Sequence, residues 1–126
     1  ETAMERKDAK QVEQELDERA MEEAAALLCG THDFRAFSSY RRGKKSTVRT
    51  LETIEFERRG AELRISFTGN GFLYHMVRIL TGTLIEVGLH KKRPEEMTRI
   101  LESLDREQAG FTAPAQGLCL LRVEYP

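Results

Sequence analysis

Two neighbouring runs of strict alternation constrain this chain more than any other feature of it. In Thr53–Arg58 the apolar Ile54 and Phe56 alternate with Thr53, Glu55 and Glu57, and in Glu62–Thr68 Leu63, Ile65 and Phe67 alternate with Glu62, Arg64, Ser66 and Thr68. Successive strand side chains point to opposite faces, so this period marks two strands that each bury one face. Arg59-Gly60 between them fits a hairpin turn and pairs the strands antiparallel. Such a hairpin has an apolar face to cover, and the rest of the chain supplies helices to cover it.

The helical segments follow from caps and stripes. Asp17 can cap a helix whose apolar stripe runs Leu16, Ala20, Ala24, Leu27 and Leu28, with Glu18 favouring the positive end of the dipole and Gly30 as its stop. Thr31 to Phe37, with His32, Asp33, Phe34 and Phe37, is read as a structured turn, and Ser38 to Ser46, polar, basic and holding Gly43, as a loop or mobile arm. Gly69-Asn70-Gly71 breaks the second strand and opens a long apolar helix, Phe72 to Val87, ending at Gly88. Pro94 starts another helix with the stripe Met97, Ile100, Leu101 and Leu104. Gly110 to Gly117 is a loop containing Pro114, and Leu118 to Tyr125 is a closing strand with Cys119, Leu121, Val123 and Tyr125 on one face. The order is α-β-β-α-α-β. This predicts an α+β domain, an antiparallel β-sheet with helices packed on it, over residues 16–126, preceded by a polar tail or helical extension over residues 1–15.

A chain of 126 residues can bury a real core, and 40% hydrophobic with 33% charged residues is an ordinary soluble composition. The net charge of −1 points to neither nucleic acid nor membrane. Its distribution is more telling: acids outnumber bases from Glu1 to Glu23, whereas Arg35, Arg41, Arg42, Lys44, Lys45 and Arg49 meet no acid between them. Cys29 and Cys119 form no CxxC pattern and read as reduced thiols of a cytosolic protein. No apolar run is long enough to span a membrane and no signal-peptide pattern is present, so the expected location is cytoplasmic. The chain starts at Glu1 without an initiator Met, as expected of a trimmed or excised piece.

Arg78 is the residue that asks for a partner. It lies among Phe72, Leu73, Met76, Val77, Ile79 and Leu80, and its helical neighbours Tyr74, His75, Thr81 and Gly82 include no acid. A buried guanidinium without an anion is costly, so Arg78 either snorkels to water or pairs with a carboxylate or phosphate from elsewhere. The small Thr81 and Gly82 leave room for something to approach. Other features are weaker on their own: His75 has no second ligand at metal spacing, Asp33 beside His32 more often caps backbone amides than forms an acid–base pair, and Gly69-Asn70-Gly71 reads either as a phosphate cradle or as a plain turn. The bases Arg41 to Arg49 read as a phosphate footprint or a solvated loop. No Walker-type phosphate loop, nucleophile elbow or zinc cluster is present.

Four blocks in order carry a resemblance: Gly30-Thr31-His32-Asp33-Phe34 with Phe37; Val48-Arg49-Thr50; Gly71-Phe72-Leu73-Tyr74-His75-Met76-Val77-Arg78 continuing to Gly82 and Val87-Gly88; and Ala113-Pro114-Ala115-Gln116-Gly117-Leu118 continuing to Leu120, Val123 and Tyr125. Over roughly Leu16 to Pro126 the chain resembles the C-terminal half of the tRNA pseudouridine synthase A family. The resemblance implies isomerisation of uridine to pseudouridine in the tRNA anticodon arm, without metal or organic cofactor, by a homodimer with tRNA lying across both subunits. It implies that Arg78 lies against a catalytic Asp from a Gly-Arg-Thr-Asp motif, that Leu118 walls the uracil pocket, that Phe72 and Tyr74 line or support it, and that Arg41, Arg42, Lys44, Lys45, Arg49 and His75 face tRNA phosphates. That motif is not in this sequence: Arg49-Thr50 is followed by Leu51-Glu52. The expectation is therefore that this chain alone forms no pseudouridine, the Asp belonging to an absent half. Phe111 stands where the family often has Pro. A non-catalytic RNA-binding module of the same fold and a protein-docking domain are the alternatives.

Overall fold

The computed structural model describes residues 16–39, 46–60, 62–114 and 121–124. Residues 1–15, the bases Arg41, Arg42, Lys44 and Lys45, and Leu118 and Cys119 lie outside them, and so do the expectations made for those positions. Helix α1 (Glu18–Leu28) is followed by strand β1 (Gly30–Asp33), a 3₁₀ turn (Arg35–Phe37), strands β2 (Val48–Arg59) and β3 (Glu62–Gly69), helices α2 (Met76–Gly88) and α3 (Glu96–Ser103), a second 3₁₀ turn (Arg106–Gln108) and strand β4 (Leu121–Glu124). The sheet order is β1-β2-β3-β4, with β1, β2 and β3 antiparallel. This is the expected α+β arrangement. A fourth strand, β4, joins β3 in parallel, Leu63 opposite Leu121. A parallel neighbour needs a crossover that returns the chain to its starting end, and α2 and α3 lie in that connection.

The hairpin forms as its alternation requires, Ile54 opposite Phe67 and Phe56 opposite Ile65, with Arg59 opposite Glu62 and Gly60 at φ 59° in the turn. The register shifts between Leu51 and Thr53, leaving Glu52 as the extra residue of a bulge. That bulge lets Leu51, at odd parity, bury on the face of Ile54 and Phe56, at even parity. Two expectations need correction here. The segment Thr31 to Phe37 was read as a turn, but Thr31, His32 and Asp33 form β1 together with Gly30; a strand this short carries no visible alternation, and it is fixed by its pairing with Val48–Leu51 and the 2.8 Å contact of Thr31 Oγ1 with Thr50 Oγ1. The stripe of α1 is also rotated: Met21, Ala24, Ala25 and Leu28 are buried, while Leu27 is exposed.

The helices pack on one face of the sheet. Leu63, Ile65 and Phe67 meet helix side chains such as Met21, Leu80 and Ile100 in one core cluster, where each fully buried side chain contributes about 1.5–3 kcal/mol. Helix α2 lies deepest, with every residue buried except Arg78 and Glu86. Asp17 caps α1 as expected, its Oδ1 accepting from Ala20 N at 3.1 Å.

Candidate functional site

The site is built where β3 turns into α2. Gly69 is required there by crowding, because a Cβ would sit 2.7 Å from the Thr50 carbonyl oxygen. Asn70 then stitches the turn to β2: its Oδ1 accepts from Thr50 N at 3.0 Å and its N–H donates to Thr50 O at 3.1 Å. Arg49 crosses the same turn, and a Cβ on Gly71 would lie 3.5 Å from its Nε. The Gly-Asn-Gly segment is thus a docked strand-to-helix turn.

The helix expected from Phe72 begins only at Met76. The Tyr74 carbonyl accepts from Ser39 N at 3.0 Å, which keeps Tyr74 out of the helical ladder, and His75 adopts the left-handed conformation at φ 63° and enters the ladder only as the cap whose carbonyl accepts from Ile79 N at 2.9 Å. Phe72 is half-buried against the core, whereas Tyr74 is 65% exposed. The His75 ring stacks on Tyr74 with centroids 3.8 Å apart and planes at 27°, and its Nδ1 lies 2.8 Å from Ser39 Oγ.

Arg78 sits in the first turn of α2, half-buried. Its Nε donates to the Ala113 carbonyl at 2.7 Å, and Ala113 N donates back to the Arg78 carbonyl at 3.0 Å. The room left by Gly82 is taken by the chain itself: a Cβ there would lie 1.8 Å from the Phe111 carbonyl oxygen. Gly110 N donates to Thr83 Oγ1 at 2.8 Å and Phe111 N to Glu86 Oε2 at 3.2 Å, so residues 110–113 are pinned along one side of the helix. Sequence reasoning saw the small residues and missed what fills the space, because nothing in the loop's composition says which helix it crosses.

Among the described residues no carboxylate pairs with Arg78, and only its Nε is hydrogen-bonded. The first turn of α2 holds no acid and His75 provides no side-chain cap. Helix N–H groups and a guanidinium therefore add positive potential at one place, an arrangement suited to holding an anion. Asp33 is excluded as that anion: its Oδ1 accepts from Arg35 N at 3.1 Å and Thr47 Oγ1 at 2.6 Å, the capping role expected of it. Burial raises the Cys29 thiol above its ordinary value, which leaves it a packed and unreactive group. Among the described residues no three His, Cys, Asp or Glu side chains group as metal ligands, and no helix is long and apolar enough to cross a membrane.

The structure thus brings Tyr74, His75, Arg78 and Arg49 to one end of α2, and keeps Phe72 on the core side. Arg49 is partly engaged, its Nη1 donating to the carbonyls of Ser46 at 2.9 Å and Val48 at 2.7 Å. Ser39 and Ser46, on either side of the basic stretch, are both fastened at this end, to Tyr74-His75 and to Arg49. Neither serine was singled out from the sequence, where both are simply polar loop residues. An open cleft of about 550 Å³ between α1 and β2, lined by Glu22, Ala25, Ile54 and Phe56, shares no residue with this end.

Comparison with known proteins adds a family to this geometry. A family model described as tRNA pseudouridine synthase matches residues 24–126. The chain is similar to tRNA pseudouridine synthase A of Acetivibrio thermocellus, 46% identical over 114 residues, which cover 90% of this chain and 47% of the relative. It is 48% identical over 114 residues to tRNA pseudouridine synthase A 2 of Clostridium tetani, 90% and 46% of the two chains. With tRNA pseudouridine synthase A of Halalkalibacterium halodurans it shares 50% identity over 103 residues, 82% and 39% of the two chains. The chain spans about half the length of the curated relatives it matches.

Proposed function

Because the chain belongs to the tRNA pseudouridine synthase family, we propose that it is the C-terminal domain of an enzyme that isomerises uridine to pseudouridine in the tRNA anticodon arm. In this reading Arg78 faces a catalytic Asp carried by a segment with the Gly-Arg-Thr-Asp motif, which these 126 residues do not contain. One observation carries it: a half-buried guanidinium, aimed by its Nε bond to Ala113, that meets no carboxylate among the described residues. An Asp placed against the two remaining guanidinium nitrogens would be held ionised and oriented, as attack on the ribose or proton transfer requires. The reaction detaches uracil from C1′, turns it and rejoins it through carbon. It consumes no oxidant or reductant, which suits a protein that works without metal or organic cofactor. Leu118 walls the uracil pocket, Phe72 and Tyr74 line or support it, and Arg41, Arg42, Lys44, Lys45, Arg49 and His75 face tRNA phosphates. The full-length enzyme is a cytoplasmic homodimer, so the bases of one subunit serve tRNA held across both.

The test is a direct assay of pseudouridine in unmodified tRNA. The chain alone is expected to yield none, and adding an aspartate-bearing half in trans is expected to restore product. Arg78→Ala in that mixture should lower the rate at least about a hundredfold, since it leaves a buried carboxylate unpaired. Product from the chain alone, or full activity of Arg78→Ala, sinks the assignment. Salt-sensitive tRNA binding with no product in either format would move the reading to a non-catalytic RNA-binding module.

A further inference from the structure

We infer that Tyr74 is a preformed stacking platform for an unpaired RNA base, a role beyond lining or supporting the uracil pocket. The inference rests on the reading that this domain binds RNA. Tyr74 is 65% exposed, although a large aromatic ring gains most by being hidden. Among the described residues its one ring contact is the stack on His75, at 3.8 Å and 27°, and its hydroxyl makes no hydrogen bond. Covering the histidine uses one face and leaves the other to solvent.

The ring is also held before any ligand arrives. Ser39 N fixes the Tyr74 carbonyl at 3.0 Å and Ser39 Oγ fixes the His75 ring at 2.8 Å, so the two rings are braced by one residue from another part of the chain. An aromatic that is ordered in advance loses little entropy on binding. Residues 69–78 include no acid, and Arg49 crosses the turn at Gly71 while Arg78 opens the helix beyond it. A rigid π-face in a stretch without acids, with Arg49 against the turn before it and Arg78 in the helix turn after it, suits a planar base on a phosphate backbone. A lone phosphate would not use the ring, and a paired base offers no free face.

The decisive measurement is fluorescence anisotropy of this chain with two labelled RNAs, a hairpin with an unpaired loop and a fully paired duplex of the same composition. Tyr74→Leu should bind the hairpin roughly tenfold more weakly and the duplex unchanged, while Tyr74→Phe should match wild type on both. An unchanged thermal midpoint would show that the exposed substitution leaves the fold intact. Equal hairpin affinity for Tyr74→Leu and wild type overturns the platform while leaving RNA binding standing. A parallel loss on hairpin and duplex overturns it too, because a base platform discriminates between them. If wild type binds neither RNA in a salt-dependent way, the platform and the RNA-binding reading fall together.

Discussion

The two ends of α2 are finished in opposite ways. At its C-terminal end the Gly88 carbonyl accepts from Asp17 N at 2.9 Å, the Glu86 carbonyl accepts from Lys91 N at 2.8 Å, and Gly88 lies so close to Met21 that a Cβ would come within 2.7 Å of the sulfur. His90, in the following turn, reaches back to the Asp17 carboxylate at 2.8 Å. At the N-terminal end His75 takes a left-handed conformation without a capping side chain, no acid answers the helix dipole, and Arg78 adds a cation to it. One end satisfies its backbone groups and packs. The other gathers like charge, and a left-handed histidine occurs at both, His75 at φ 63° and His90 at φ 65°. Folded chains keep such local conflicts mainly where a ligand or catalytic group resolves them, so the proposed division is stability at one end and function at the other.

Met21→Ala tests the packed end and should have the largest effect on the fold. Met21 is fully buried, and its truncation is expected to cost about 3 kcal/mol in urea unfolding. A smaller effect follows from Asp17, whose carboxyl is held below its ordinary value by the His90 hydrogen bond and then by the Ala20 N–H. A depressed carboxyl contributes stability above its unfolded pKa and loses it as pH falls through the folded value. Asp17→Ala should therefore lower the thermal midpoint at neutral pH, and its midpoint should begin to approach wild type below about pH 4 and meet it only once the pH has fallen past the lowered folded value. An equal difference at all pH values would mean that the side chain acts by packing alone. Smallest of all should be Arg78→Met. It loses one hydrogen bond to Ala113 but relieves the charge at the helix start, so its stability should stay within about 1 kcal/mol of wild type. A loss as large as that of Met21→Ala would make the two ends alike and remove the contrast.

The hairpin was legible because Ile54, Phe56, Leu63, Ile65 and Phe67 keep one period through a strand pair whose partners are neighbours in sequence. Asp17 and Gly30 were legible as local punctuation. The first strand was not: Gly30–Asp33 has a partner that begins at Val48, and a four-residue strand shows no period of its own. The start of α2 was misplaced because Phe72 and Leu73 continue the apolar pattern, while the bond that ends it comes from Ser39. At the site, Arg78 stood out through the absence of a local anion, a property visible in one dimension. Its hold on Ala113, the loop filling Gly82 and the bracing of Tyr74 by Ser39 are long-range contacts between residues of unremarkable type. Leu118 and the bases Arg41 to Lys45 lie outside the described residues.

The bulge at Glu52 gives β2 one residue of slack between Leu51 and Ile54. Glu52 itself is exposed, and the bulge that absorbs it is what brings the two parities of the strand into one core. A substitution there changes a surface side chain. Loss of that single codon would join Leu51 directly to Thr53, restore unbroken pairing with Gly69 and Thr68, and still leave Leu51, Ile54 and Phe56 on one face, because Leu51 would then stand two positions from Ile54. Among related genes, point changes and loss of this one residue should therefore both be tolerated, whereas loss of two residues between Leu51 and Ile54 should be purged.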